Sequence, residues 1–192
     1  MDALMAAFVA ALLAQASDRT PWLTAILSTR FARPGTVILA TAIALAIGNG
    51  IAAVGGALIG PRISPNARDL FLALALMSAG GSALFAIKPP DRLSGWRIGA
   101  FMTSLLGVAI LAAGDRTQFI TLAISARSPS PVLVPVLAAV GATIGALVVN
   151  IPAIIAGEDV RRKLPIPAIR VAIGILFLIV GVVLGLGAIR LI

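Results

Sequence analysis

The feature that most constrains this chain is the recurrence, from end to end, of apolar runs of roughly 18 or more residues, each long enough to cross a bilayer as a helix. Backbone N–H and C=O groups in hydrocarbon must be satisfied within the segment or across a closed barrel. The runs are continuous rather than alternating and too long for tilted strands, which argues against a barrel. Of the 192 residues, 60% are hydrophobic and 11% charged, and the mean hydropathy is +1.10, which excludes an ordinary soluble domain. The expectation is an all-α membrane protein, residues 1–192 forming a single integral membrane domain.

Pro, Gly and basic residues punctuate the runs and place six spans, at about 3–29, 35–60, 69–87, 97–126, 131–157 and 166–191. Pro135 and Pro152 predict kinks near the two ends of the fifth span. The net charge of +8 is not gathered into a basic stripe interleaved with aromatics, so no nucleic-acid partner is expected; the bilayer is. Nine basic residues (Arg30, Arg33, Lys88, Arg92, Arg97, Arg161, Arg162, Lys163 and Arg170) lie at or near the loops after spans one, three and five. Four lie on the other side: Arg62, Arg68, Arg127 and Arg190. The positive-inside rule then places both termini outside the cytoplasm, in a bacterial inner membrane. Cys and His are absent, which removes disulfides, thiolate chemistry and imidazole ligation. A metal handled here must meet oxygen atoms, a chemistry suited to Mn, Ca or Mg.

Two of these spans are interrupted by charge. Ser17-Asp18-Arg19-Thr20 sits within the first and Gly114-Asp115-Arg116-Thr117-Gln118 within the fourth. An ionisable group at bilayer depth costs roughly 2.5–3.5 kcal/mol even on lenient insertion scales, so each is a functional-site expectation. The interruptions are also copies. Moved by 97 positions, Ala16, Asp18, Arg19, Thr20, Thr24, Ser28 and Arg30 fall on Ala113, Asp115, Arg116, Thr117, Thr121, Ser125 and Arg127. That is seven identities in fifteen positions, where roughly one is expected by chance. With four residues inserted, Asn49 also meets Asn150. Each half holds three spans, an odd number, so the copies must run in opposite directions: repeat one over about 1–90 and repeat two over about 97–192. Inverted three-helix repeats are a secondary-transporter architecture, with sites near the midplane at broken helices. Ten residues separate each motif from its helix end, or roughly 15 Å, half of a hydrocarbon core. Gly114 and Pro21 are expected to let the helices unwind there. Gly56/Gly60, Gly141/Gly145 and Gly181/Gly185 have the spacing that lets helix backbones approach.

Of seven acidic residues only Asp18 and Asp115 fall well within spans, so coupling to a cation or proton has these two to work with. Gln15, Thr20, Thr117 and Gln118 add neutral oxygens and donors around them. Two carboxylates with neutral oxygens suit a hard divalent ion, and a buried carboxylate can alternatively carry a proton. The bland account is that Arg19 and Arg116 neutralise the aspartates as ion pairs, across the repeats rather than within each motif.

These motifs resemble the E-x-G-D-[KR]-[TS] signature that occurs twice in the Gdt-one family, also catalogued as uncharacterised protein family sixteen. The resemblance covers nearly the whole chain and implies a six-span transporter of manganese or calcium, exchanging the cation for protons. It implies Asp18 and Asp115 as metal ligands, with Gln15, Thr20, Thr117 and Gln118 completing the binding set and Arg19 and Arg116 restraining the carboxylates or gating. The metal is cargo; no cofactor is expected, and assembly with further copies of the chain is left open. The signature's leading glutamate falls on Gln15 in the first copy and Ala112 in the second. The motifs therefore bring a net charge near zero, which recovers less of a divalent ion's hydration energy. That departure keeps two alternatives in view: a proton-coupled exporter of a small organic or anionic solute, and a transport-inactive scaffold or accessory subunit. No nucleophile–base pair or cofactor motif points to an enzyme.

Overall fold

A computed structural model describes residues 2–86, 88–127, 132–161 and 165–189. Among these the chain is helical throughout, in the order α1 (Asp2–Ala16), α2 (Thr20–Phe31), α3 (Pro34–Ile59), α4 (Pro65–Leu84), α5 (Gly99–Ala112), α6 (Arg116–Ala126), α7 (Leu133–Arg161) and α8 (Ile166–Ala188). A single 3-10 turn, Gly60–Arg62, closes α3. The expected span limits at Ile87, Pro131 and Leu191, and the basic residues Arg162, Lys163 and Arg190, lie outside the described residues.

Local chemistry sets the helix starts. Proline occupies the first turn of α2, α3, α4 and α8, where its missing N–H leaves no intrahelical bond unmade. Ser64 caps α4, its hydroxyl accepting from the Ala67 N–H at 3.3 Å. In α7, Pro135 falls in the first turn and Pro152 inside the helix, yet the backbone leaves helical geometry at Gly157 (φ 68°). A φ of 68° with ψ −170° is a conformation essentially reserved for glycine and costs other residues on the order of 1–3 kcal/mol.

Helices α3, α4, α7 and α8 are each long and apolar enough to cross a membrane, and α5 with α6 makes a fifth candidate bent by 63°. α1 is shorter, and it too is interrupted before α2. The polarity of the bundle is inverted relative to a soluble protein. Ile51, Ile155 and Ile179 are among many large apolar side chains on its outside, while Gln15, Thr20, Thr24, Asn49 and Asn150 are buried.

With lipid outside, helices gain little from hiding apolar area and associate by close packing instead. α1 lies along α7, with Ala7, Ala11, Ala138 and Ala142 in the seam. A methyl placed on Gly141 would come within 2.2 Å of the Leu4 carbonyl, and one on Gly145 within 2.3 Å of the Phe8 carbonyl. On the other side α3 lies along α6, where methyls on Gly56 and Gly60 would meet the Leu122 and Ala126 carbonyls at 2.1 and 2.4 Å. The third expected pair holds only in part. Gly181 faces α4 tightly, whereas a methyl on Gly185 would make an ordinary 3.6 Å contact with Ala73, and it is Gly80 against Gly174 that brings α4 and α8 together. α1 and α2 thus pack on α7, and α5 and α6 on α3, so each interrupted pair leans on the long helix of the other half.

Candidate functional site

Both motifs fall at helix breaks, and the two breaks differ for a covalent reason. At the second, Gly114 takes φ 71° and its N–H donates to the Gln118 side-chain oxygen at 2.9 Å. Asp115 then turns extended and caps α6, its Oδ1 accepting from the Gln118 N–H at 2.8 Å. The position corresponding to Gln118 in the first copy is Pro21, which has no N–H to offer. Asp18 therefore cannot cap α2 in the same way. Arg19 stands at the cap position with no side-chain bond, and Asp18 instead accepts the Thr20 hydroxyl at 3.0 Å. Pro21 lets the first helix unwind as expected: it has no N–H to offer the Ser17 carbonyl, residues 17–19 leave the helix just before it, and α2 begins with it in the first turn.

Behind the breaks a fully buried polar chain crosses the bundle. Gln15 Nε2 donates to Asp115 Oδ2 at 3.1 Å and to the Thr117 hydroxyl at 3.2 Å. Gln15 Oε1 accepts from Asn150 Nδ2 at 3.0 Å, and Asn150 Oδ1 accepts from the Thr24 hydroxyl at 3.2 Å. Gln15, Thr24 and Asn150 are each 0% exposed.

The arginines do not do what charge alone suggests. The Arg116 guanidinium donates to the Ser17 hydroxyl at 3.0 Å, the Ser17 carbonyl at 3.3 Å and the Ser82 carbonyl at 2.9 Å, fastening the first break and the end of α4 to α6. Arg170 donates to the neighbouring Ala83 carbonyl at 2.8 Å. These two fill acceptors that a helix C-terminus leaves orphaned. Among the described residues the ion pairs are Arg92–Glu158 at 2.8 Å and Arg127–Asp69 at 2.7 Å. Neither involves a motif residue, so the expected Asp–Arg pairs are not formed. The reason is geometric: the first break and the end of α4 expose main-chain carbonyls, and the forked Arg116 guanidinium satisfies one from each at once.

The two breaks meet at a cleft of about 400 Å³ lined by Asp18, Arg19, Gly114, Asp115, Arg116 and the Ser82 end of α4. Two other openings, a larger one of about 810 Å³ between α1, α4, α6 and α8 and a smaller one of about 240 Å³ beside α7, are mainly apolar in their lining. Among the described residues no group of three or more acids gathers, so a cation in the cleft has two carboxylates to meet.

The model of a family described as "Divalent cation/proton antiporter GDT1" matches residues 3–90 and 100–190, one block over each half of the chain. The chain belongs to the GDT1 family. A relative described as "Putative manganese exporter", from Vibrio cholerae serotype O1 (strain ATCC 39541 / Classical Ogawa 395 / O395), is 27% identical over 183 residues, 93% of this chain and 88% of that protein. No solved structure matches. Family membership together with the apolar helices makes this an integral membrane protein of a cation-transport family.

Within this GDT1 chain the expected site residues separate into three groups. Asp18, Asp115, Arg19 and Arg116 line the cleft itself. Gln15, Thr20 and Thr117 lie behind them, bonded to one aspartate or to each other. Gln118 is turned away: its oxygen receives the Gly114 N–H, and its amide packs where a methyl on Gly48 of α3 would stand. Gln15 stands where the signature has glutamate, but its oxygen points to Asn150, so it presents N–H rather than oxygen towards Asp115. The role of Ser82 had no signal in the sequence beyond residue type. Ser17 lay within the first motif, and Thr24 and Asn150 each had a match across the repeat, to Thr121 and Asn49.

Proposed function

We propose that this chain exchanges a divalent cation, manganese or calcium, for protons, at a site formed where the two helix breaks meet. The observation that carries the reading is that two aspartates 97 positions apart line one polar cleft in an otherwise apolar bundle. Asp18 and Asp115 supply charge, and the Thr20 and Thr117 hydroxyls stand next to them as neutral oxygens. A carboxylate takes up a proton when the cation leaves, which offsets part of the positive charge that departs. Arg116 holds the two breaks together, and Arg19, exposed at the cleft, is the movable charge. Membership of the antiporter family and the description of the Vibrio relative support the cargo and the coupling.

The architecture that goes with this reading is six spans in two inverted halves, with α1–α2 and α5–α6 each counted as one interrupted span. Its support is the exchanged packing of each interrupted pair on the opposite long helix. The distribution of basic residues favours both termini outside the cytoplasm, in the inner membrane of a bacterium. A second reading, proton-coupled export of an anionic solute, draws on one observation: Arg19 lines the cleft and, among the described residues, makes no ion pair.

The test is flux into proteoliposomes carrying an imposed pH gradient, comparing the native protein with Asp18→Asn and Asp115→Asn. Manganese or calcium flux that both substitutions abolish is the expected outcome. Undiminished metal flux in both would sink the cation reading, and proton flux that responds to anions but not to metals would favour the second one.

A further inference from the structure

We propose that Asn150 and Thr24, one on α7 and one on α2, are positioning residues that orient the Gln15 amide so that it donates to Asp115. The inference rests on the reading above that Asp115 is an exchanging carboxylate.

The direction of the whole chain is set by one main-chain atom. Asn150 Nδ2 donates to the Ala146 carbonyl at 2.9 Å as well as to Gln15 Oε1 at 3.0 Å. A carbonyl only accepts, so the Asn150 amide must turn its NH₂ towards Ala146, and its oxygen is left facing the Thr24 hydroxyl at 3.2 Å, whose single proton it shares with the Pro21 carbonyl, also at 3.2 Å. With the Asn150 NH₂ fixed, the group Gln15 turns towards it must be its oxygen. Its own NH₂ is then directed at Asp115 and Thr117. Reversing Gln15 would set N–H against N–H at Asn150 and oxygen against carboxylate at Asp115. All three side chains are 0% exposed, so water cannot substitute for a lost partner.

The consequence is specific to one aspartate. Asp115 has Oδ1 on the Gln118 N–H and Oδ2 on Gln15, so both its oxygens are held. The position that corresponds to Gln15 in the second half is Ala112, with no polar side-chain atom, and Asn49, which corresponds to Asn150, donates instead to Thr143 at 3.2 Å. Asp18 therefore has no relay behind it. The two aspartates of this chain are inequivalent: one is clamped from the α7 side, and the other, among the described residues, is held by a single hydroxyl.

The experiment is infrared difference spectroscopy on the purified protein labelled with [13C]aspartate, with the Asp115→Asn spectrum subtracted to isolate the Asp115 carboxylate band. It is read first without metal and then through a manganese titration. Thr24→Val, which removes one hydroxyl at nearly constant shape, and Asn150→Leu are expected to shift the metal-free band, the second by more. Asn49→Leu is the control and is expected to leave it in place. A band unmoved by both relay variants, or moved equally by Asn49→Leu, overturns the proposal. A band that shifts as expected in a protein whose carboxylates ignore manganese upholds the relay while the cargo reading fails.

Discussion

The difference between the two breaks can be measured without any transport assay. Asp115 caps α6 through the Gln118 N–H, whereas Asp18 faces Pro21 and has no such donor. Replacing each aspartate by alanine alone would confuse loss of a cap with relief of a partly buried charge. The informative quantity is the stability difference between the serine and alanine variants at each position, because both remove the charge and they differ by one hydroxyl. Serine caps about as well as aspartate, and loss of a cap costs typically about 1 kcal/mol. Asp115→Ser should therefore be more stable than Asp115→Ala by about 1 kcal/mol, roughly fivefold in the unfolding equilibrium. At position 18 the same difference should be near zero, since a serine there meets the nitrogen of a proline. The assay is reversible unfolding in mixed micelles, followed by fluorescence of Trp22 and Trp96. Equal serine–alanine differences at the two positions would refute the reasoning, because the Pro21–Gln118 contrast would then decide nothing.

Two further outcomes follow from the packing and from Arg116. Gly145→Ala puts a methyl 2.3 Å from the Phe8 carbonyl and should cost about 1–3 kcal/mol, whereas Gly81→Ala enters open space and should be neutral or mildly stabilising; melting midpoints in detergent compare the two. Arg116→Lys keeps the charge but cannot bridge Ser17 and Ser82 together, and should lower the unfolding midpoint by the equivalent of roughly 1–2 kcal/mol; an unchanged midpoint would show that the fork carries no stability.

Much of the site was legible in the sequence because membranes make polarity expensive. A carboxylate between apolar runs stands out at a glance, and its duplication at a fixed offset named both halves of the cleft. What was not legible was who satisfies whom. The expectation of Asp–Arg pairs followed from charge, but the first break and the end of α4 expose main-chain carbonyls, and those acceptors claimed Arg116. Gln15 read as a neutral oxygen ligand until its oxygen was found on Asn150, a residue 135 positions away. Proline likewise suggested kinks in the fifth span, whereas Pro135 sits in the first turn and it is Gly157 that leaves helical geometry.

By itself, the sequence determined that the chain is helical and membrane-embedded, where its polar interruptions lie, and that they are copies of one another. Those properties depend on hydropathy, on period and on identity at a fixed offset, all of which are local or nearly so. Only the tertiary structure decided that the two interruptions share one cleft and that they are unequal within it. Hydrogen-bond direction is the reason: it depends on which donor faces which acceptor across helices, and a single main-chain carbonyl, that of Ala146, orients everything from Thr24 to Asp115.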